Sequence, residues 1–395
     1  MIDDGLESVH QLWEHDAIGI IPEQPSPDDV CAYNQYLETV QYHDGQYWVR
    51  LPWKINHKTL PTNYHMTYGQ FKSQLEKLRK RPEHLKLYRE IIAQQLKNKF
   101  IEVMKHDNKQ TGHFLPHMAV MRESKMTPLR IVFNCSSKSG PQETSLNDCL
   151  QTGPSLTQKL CDILLKFRLN KYAFSADISK AFLRVVLQEQ DRDFTKFLWV
   201  ENPEDINSPI ETFRFSSVLF GVTSSPFPLQ ATLDAHLKKS SSPYKAEISQ
   251  NLYVDNFQGT VNSTTELLQI YQEDNKELQG ANMPLQFWAF NNATLNNQIP
   301  GDYPEYHVPE SQKVLGMEWD LISDTILIKS VPINYCIATK RDLPSQVSKV
   351  FDPFGLLNPS TIKWHLLVQE VWKTKVGWDD PLPIQLQKVW MEVAQ

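Results

Sequence analysis

Apolar and polar positions change period several times along this chain, and the changes mark out its elements. From Tyr64 to about Met104 the apolar residues recur at helical spacing, with Tyr88, Ile92 and Leu96 on one face and a break at Pro82. The period then switches. HMAVMRES (117–124) and PLRIVFN (128–134) are β-rich runs joined by Lys-Met-Thr, which suits a short hairpin. SLTQKLCDILLKF (155–167) is helical again and leads into KYAFSAD (171–177), an alternating strand that ends on an acid. TKFLWV (195–200) and ETFRFSSVL (211–219) read as further strands, followed by a turn at Gly221 and a helical QATLDAHLKK. LYVDNFQGT (252–260) reads as strand, turn and strand. Strands and helices are mixed without regular βαβ alternation, and no internal repeat is evident; the pattern predicts an α+β fold built on an antiparallel sheet.

Length adds a division into lobes. At 395 residues and 45.8 kDa the chain exceeds the size at which one hydrophobic core stops growing, which predicts two or three lobes. No run of 18 apolar residues occurs and the N-terminus lacks a signal-peptide pattern, so the sequence reads as neither membrane-spanning nor secreted, and as intracellular and cytoplasmic. Cys31, Cys135, Cys149, Cys161 and Cys336 form no C-x-x-C pair, which supports neither a zinc site nor a disulfide framework. A net charge of -6 argues against a nucleic-acid partner on average, but the charge is uneven. Residues 1–30 hold eight acids and no Lys or Arg, and with IPEQPSPDDV (21–30) they read as an extended arm or linker. Residues 71–110 hold eleven Lys/Arg against five acids, either the lining of a nucleic-acid groove or the solvated face of an amphipathic helix.

Two acids at strand ends carry the candidate chemistry. Taken singly, Asp177 and Asp255 are each explained as a turn residue or helix cap. As a pair they suit a two-metal phosphoryl-transfer site, which needs carboxylates on rigid adjacent strands to hold divalent ions about 3.5–4 Å apart.

The wider sequence resembles the reverse-transcriptase region of the BEL/Pao group of long-terminal-repeat retrotransposons. The resemblance runs, in the family's order, through LPWK (51–54), LPHMAV (115–120), LRIVFN (129–134), SLNDCLQTGP (145–154), ADISKAFLRV (176–185), FGVTSSPF (220–227), LYVDN (252–256), KVLGMEWD (313–320) and FDPFGLLNP (351–359). It implies a right-hand polymerase with an antiparallel palm sheet. Residues 1–60 would be an N-terminal arm, 61–155 the fingers, 156–335 the palm, and 336–395 the start of the thumb or connection, as one piece of a longer polyprotein.

The resemblance also implies roles. Asp177 matches the first metal-binding aspartate, with the Ile178 carbonyl a further oxygen ligand. Asp255 matches the second, and the cofactor would be two Mg²⁺, with Mn²⁺ a substitute. Arg122 and Arg130 match residues that hold the incoming triphosphate. Phe182 matches the aromatic that blocks a ribose 2′-OH, or is a core aromatic. Gly221 matches a glycine that lets backbone approach the templating pair, and Leu315 and Gly316 match the primer grip. The partners would be an RNA or DNA template with its primer, and dNTPs.

The chain departs from the family at two hallmark positions. Asn256 stands where a second aspartate is expected, and Asn134 where Asp normally follows Val-Phe. Loss of one carboxylate predicts weakened DNA synthesis, partly restored by Mn²⁺. The alternative is a catalytically inactive nucleic-acid-binding remnant. An aspartic protease is not supported, since D-[ST]-G is absent and Asp324-Thr325 is followed by Ile326.

Overall fold

The structure is a computed structural model that describes residues 26–121, 128–298, 308–329 and 331–394. It divides into two compact units, Met1–Leu156 with Lys180–Lys238, and Thr157–Ser179 with Lys239–Gln395.

In the first unit, part of the segment expected to be an arm is folded. The helix Pro27–Thr39 opens on a capping box, in which Ser26 Oγ accepts from the Asp29 amide at 3.1 Å and the Asp29 carboxylate accepts from the Ser26 amide at 3.3 Å. A hairpin, Gln41–His43 with Gln46–Val49, follows it. The expected long helical region is two helices, Tyr64–Arg79 and Pro82–Lys97, with proline in the first turn of the second. Lys99, at φ 58°, ends helical geometry before Met104, and Ile101–Val103 instead joins a three-stranded antiparallel sheet with Ile210–Phe215 and Lys196–Val200. Leu96 is 40% exposed, while Tyr88 and Ile92 are buried. Tyr88 stacks on Trp199 at 4.8 Å and hydrogen-bonds His117, whose other ring nitrogen meets the Leu198 carbonyl at 2.8 Å.

Several of the quoted motifs are contact surfaces for one another. Asp191, 1% exposed, accepts from the Leu51 amide at 2.8 Å, the Trp53 indole at 3.0 Å and Arg50 Nε at 2.7 Å, which fixes LPWK in place. Asn147 of SLNDCLQTGP clamps FGVTSSPF, since its amide nitrogen donates to the Gly221 carbonyl at 3.1 Å and its oxygen accepts from the Thr223 amide at 3.0 Å. The Leu156 amide is taken by Gln230 Oε1 at 3.1 Å, and the helix expected from residue 155 begins at Leu160.

The second unit is built on a four-stranded antiparallel sheet in the order Leu252–Tyr253, Asn256–Val261, Tyr172–Ile178, Leu285–Phe290. Tyr172–Ile178 is central because its residues alternate between two occupied faces. Phe174 points toward Phe257 and Trp288, with ring centroids 5.2 and 6.1 Å away. Ala173, on the other face, joins a core with Phe167, Val314, Met317 and Trp319. A second sheet, Ser311–Val314, Met317–Asp320 and Thr325–Leu327, carries Leu315 and Gly316 in its first turn, both at positive φ (48° and 90°). Gly316 is required there. A Cβ would lie 2.9 Å from the Phe351 ring, the first residue of FDPFGLLNP. Farther along, helices Asp342–Val347, Asn358–Lys373 and Ile384–Val393 close around fully buried Trp390.

Candidate metal centre

The two acids singled out by sequence meet in the second unit. Asn256 is paired with Asp177 across the antiparallel register, and the Ile178 amide donates to the Asp255 carbonyl at 2.7 Å. Asp177 also faces Gln286 on the opposite neighbour, so Asp177, Asn256 and Gln286 form a polar row across one face of the sheet. Asp177, Asp255 and Asn256 are all half-buried. The sequence separation of the two aspartates is thereby closed by strand pairing alone.

The turn that presents Asp255 is strained. Tyr253 pairs with Asn256, which leaves Val254 and Asp255 as a two-residue loop, and Val254 has φ 57°. A positive φ at the first loop residue is a glycine position in tight hairpins, and a β-branched residue there costs about 1–3 kcal/mol. That cost is spent on a conformation that fixes the Asp255 backbone beside the central strand.

Electrostatics agree with a cation site. Burial, and then the Asp255 charge, push the Asp177 carboxyl up to about 6. Asn256 Nδ2 donates to Asp255 Oδ1 at 3.0 Å. The amide thus partly neutralises Asp255 in the role a third carboxylate could not play. Among the described residues no group of three or more His, Cys, Asp or Glu side chains is gathered as a metal site. The side-chain donors at this end of the sheet, the Asp177 and Asp255 carboxylates and the Asn256 amide oxygen after rotation, are of the kind Mg²⁺ takes, since it commonly uses one or two carboxylates and completes its shell with water and substrate phosphate.

The remaining expected residues are placed as follows. Leu315 and Gly316 form the turn of the second sheet in this same unit. Phe182, Gly221 and Arg130 belong to the first unit, and Arg122 lies outside the described residues. Phe182 is buried and packs edge-on against Phe220 at 4.6 Å. Arg130 is exposed, opposite Val120 in the hairpin His117–Met121 with Leu129–Phe133. At Gly221, φ is 104° and a Cβ would fall 2.4 Å from the Phe133 carbonyl oxygen, so glycine there serves a backbone contact inside its own unit.

Three residues escaped the sequence reading. Asn147 lay inside a quoted motif, but nothing local marked it as the clamp of the Gly221 loop. Gln258, 1% exposed, shares the Asp177 face opposite Ser175, and neither amide atom has a hydrogen-bond partner among the described residues. The polar alternation Asn256, Gln258, Thr260 was its signal. Asp274, fully buried in the helix Thr264–Gly280, has both carboxylate oxygens unpartnered among the described residues, and burial with nearby Glu247, Glu273 and Glu277 pushes it up to about 8.

Residues 339–395 match the family model described as "Pao retrotransposon-like RNaseH-like domain". The chain is similar in fold to a foamy viral protease-reverse transcriptase dRH in complex with double-stranded DNA, with 14% identity, a TM-score of 0.51, and coverage of 96% of this chain and 62% of that one. Together they support a retrotransposon Pol region. A second foamy viral protease-reverse transcriptase structure, also with double-stranded DNA, matches at 14% identity and a TM-score of 0.49, over 92% of this chain and 65% of that one. The chain therefore spans less than two thirds of either foamy viral chain. No curated protein matches the sequence. The chain thus has a mixed α/β fold that resembles that of the first of these foamy viral structures. Among the described residues no helix is long and apolar enough to cross a membrane. Within the matched segment the described elements are helices, and three of its acids are engaged locally: Asp342 accepts from the Thr339 amide at 2.8 Å, Asp352 from the Leu357 amide at 2.6 Å, and Asp379 pairs with Arg341 at 2.8 Å.

Proposed function

We propose that this chain is a reverse-transcriptase-like nucleotidyltransferase region whose metal site is weakened at Asn256. The observation that carries the reading is the pairing of Asp177 with the strand leaving the Val254-Asp255 turn, which puts both carboxylates at one end of one sheet. In this reading residues 61–155 act as fingers, 156–335 as palm and 336–395 as the start of a thumb or connection. The reaction is attack of a primer 3′-hydroxyl on the α-phosphate of a dNTP, directed by an RNA or DNA template.

Asp177 and Asp255 would hold two Mg²⁺, with the Ile178 carbonyl assisting and Asn256 supplying a neutral oxygen. When bound, the cations supply charge neutralisation at the transferring phosphate and lower the pKa of the attacking hydroxyl. The protein's own contribution is positioning. The strained turn fixes Asp255, and Asn256 holds its carboxylate through a hydrogen bond that must be exchanged when a cation is ligated. Arg122 and Arg130 would bind the triphosphate, Phe182 would exclude a 2′-hydroxyl, Gly221 would border the templating pair, and Leu315 with Gly316 would support the primer. A second reading, a nucleic-acid-binding remnant without catalysis, is favoured by that same hydrogen bond, which ties up a ligand oxygen.

Primer extension on an RNA template with dNTPs, in Mg²⁺ and in Mn²⁺, separates the two. The polymerase reading expects extension that Asp177→Ala abolishes and Asn256→Asp increases. Folded variants that never extend a primer, Asn256→Asp included, leave the binding remnant.

A further inference from the structure

One buried side chain on the face of the metal centre is still without a role. The strand Asn256–Val261 turns Asn256, Gln258 and Thr260 to the side of the sheet that carries Asp177. Two of the three are engaged: Asn256 donates to Asp255 at 3.0 Å, and the Thr260 hydroxyl donates to the Lys166 carbonyl at 3.0 Å. Gln258 lies between them and is 1% exposed, yet neither its amide nitrogen nor its amide oxygen has a hydrogen-bond partner among the described residues.

Packing alone does not call for an amide at this position. Opposite Gln258 stands Ser175, and beyond it Ala289, which belongs to the apolar core of Leu164, Phe167 and Ala173. Methionine or leucine would fill similar space, whereas an amide stripped of water and left without partners costs stability. A buried polar group with its bonds unmade points to a function. Asp177 is its complement. The aspartate is the diagonal neighbour of Gln258 on the adjoining strand, a separation that a long side chain spans. Burial and the Asp255 charge act on the Asp177 carboxylate, and no side-chain donor among the described residues offsets them. A carboxylate that ligates a cation through one oxygen is oriented by a donor to the other, and a neutral amide does this without adding charge beside two aspartates.

We propose that Gln258 is a positioning residue of the metal centre, whose amide nitrogen donates to the Asp177 carboxylate when that carboxylate takes a cation. The inference rests on the cation reading of Asp177 and Asp255 above. Gln258 itself is neither a ligand nor a catalytic residue. It sets the direction in which Asp177 presents its ligating oxygen.

The test uses the full chain and four variants: Gln258→Met, Gln258→Leu, Thr260→Val as a control farther along the same strand face, and Asp177→Ala. Mn²⁺ affinity is read by isothermal titration calorimetry, and stability by urea denaturation in the presence of chelator. Gln258→Met and Gln258→Leu should each lower Mn²⁺ affinity by roughly tenfold or more. Their metal-free urea midpoints should stay level or rise, because an unpartnered amide is replaced by an apolar group. Thr260→Val should do the reverse, with a lower midpoint and unchanged Mn²⁺ affinity. Full Mn²⁺ affinity in both Gln258 variants overturns the proposal. So does an affinity loss accompanied by a lower metal-free midpoint, or an equal affinity loss in Thr260→Val, since either marks a structural role. Asp177→Ala separates the two readings: if it abolishes binding while the Gln258 variants bind normally, Gln258 alone is wrong. Wild-type protein that binds no Mn²⁺, or an Asp177→Ala protein that binds it as well as wild type, overturns the cation reading and Gln258 with it.

Discussion

Asn256 stands directly opposite Asp177 in the antiparallel register, while its amide donates to Asp255 at 3.0 Å. The residue therefore separates two carboxylates that repel each other. Replacing it with aspartate should act in opposite directions on two properties. Mg²⁺-dependent extension should rise by about tenfold or more, roughly 1.4 kcal/mol in cation affinity. The metal-free protein should lose about 1–2 kcal/mol of stability at neutral pH, because a hydrogen bond is replaced by a like charge. Primer extension reads the first and urea denaturation without Mg²⁺ the second, and a variant stabilised in the absence of cation would contradict the argument.

If Asp177 ligates a cation as proposed, its titration sets the pH dependence of binding. Its carboxyl lies near 6, and ligation needs the carboxylate, so Mn²⁺ affinity should be level above that pH and fall about tenfold per unit below it. Calorimetric titration between pH 5 and 8 checks this. A midpoint near 4, the ordinary carboxylate value, would show that burial and Asp255 do not act as described.

Val254→Gly should relieve the turn. Glycine adopts positive φ without penalty, and the variant should gain about 1 kcal/mol in stability. If the strain positions Asp255, extension should fall in the same variant. A rise in both stability and extension would show the strain to be incidental.

Asp274 makes the fold less stable as pH rises. Its folded value near 8 lies above the ordinary 3.8, so the folded chain keeps a proton that the unfolded chain releases. The associated stability is full below about pH 4 and is lost progressively up to about 8. Asp274→Asn should be worth about 1–3 kcal/mol at pH 8 and close to nothing at pH 4. Identical differences at the two pH values would count against it.

Gly221→Ala should be severe, by about 3 kcal/mol or more, since a Cβ at 2.4 Å from the Phe133 carbonyl cannot be accommodated without moving backbone. Asn147→Ala should loosen the same loop by about 0.5–1.5 kcal/mol, as the exposed Gly221 carbonyl and Thr223 amide exchange the asparagine for water. Limited proteolysis of the 220–227 loop should report both, and unchanged cleavage in Asn147→Ala would remove the clamp from the account.

The parts legible in the sequence were those in which neighbours in the chain are neighbours in space. The strand pairs of the 252–260 and 117–133 hairpins follow from period, and the break at Pro82 from the missing proline amide. The start of the helix at Leu160 was not legible, because a distant glutamine takes the Leu156 amide. Asp274 was hidden by its company, since a helix rich in Glu and Asp reads as solvated although one of its acids points inward. The adjacency of Asp177 to the Asp255 turn came from resemblance and not from pattern, because strand pairing at long separation leaves no local trace. The clamp of Asn147 on Gly221 was invisible for the same reason.

Each compact unit is assembled from two separated stretches of chain. A growing polypeptide therefore exposes Tyr172–Ile178, the middle strand of its sheet, long before Asn256–Val261 and Leu285–Phe290 have been made. Synthesis halted near residue 240 would leave an apolar strand with two bare edges, a template for aggregation. Neither unit can be cut out as one contiguous fragment, and the order of translation itself sets when Asp177 first acquires neighbours.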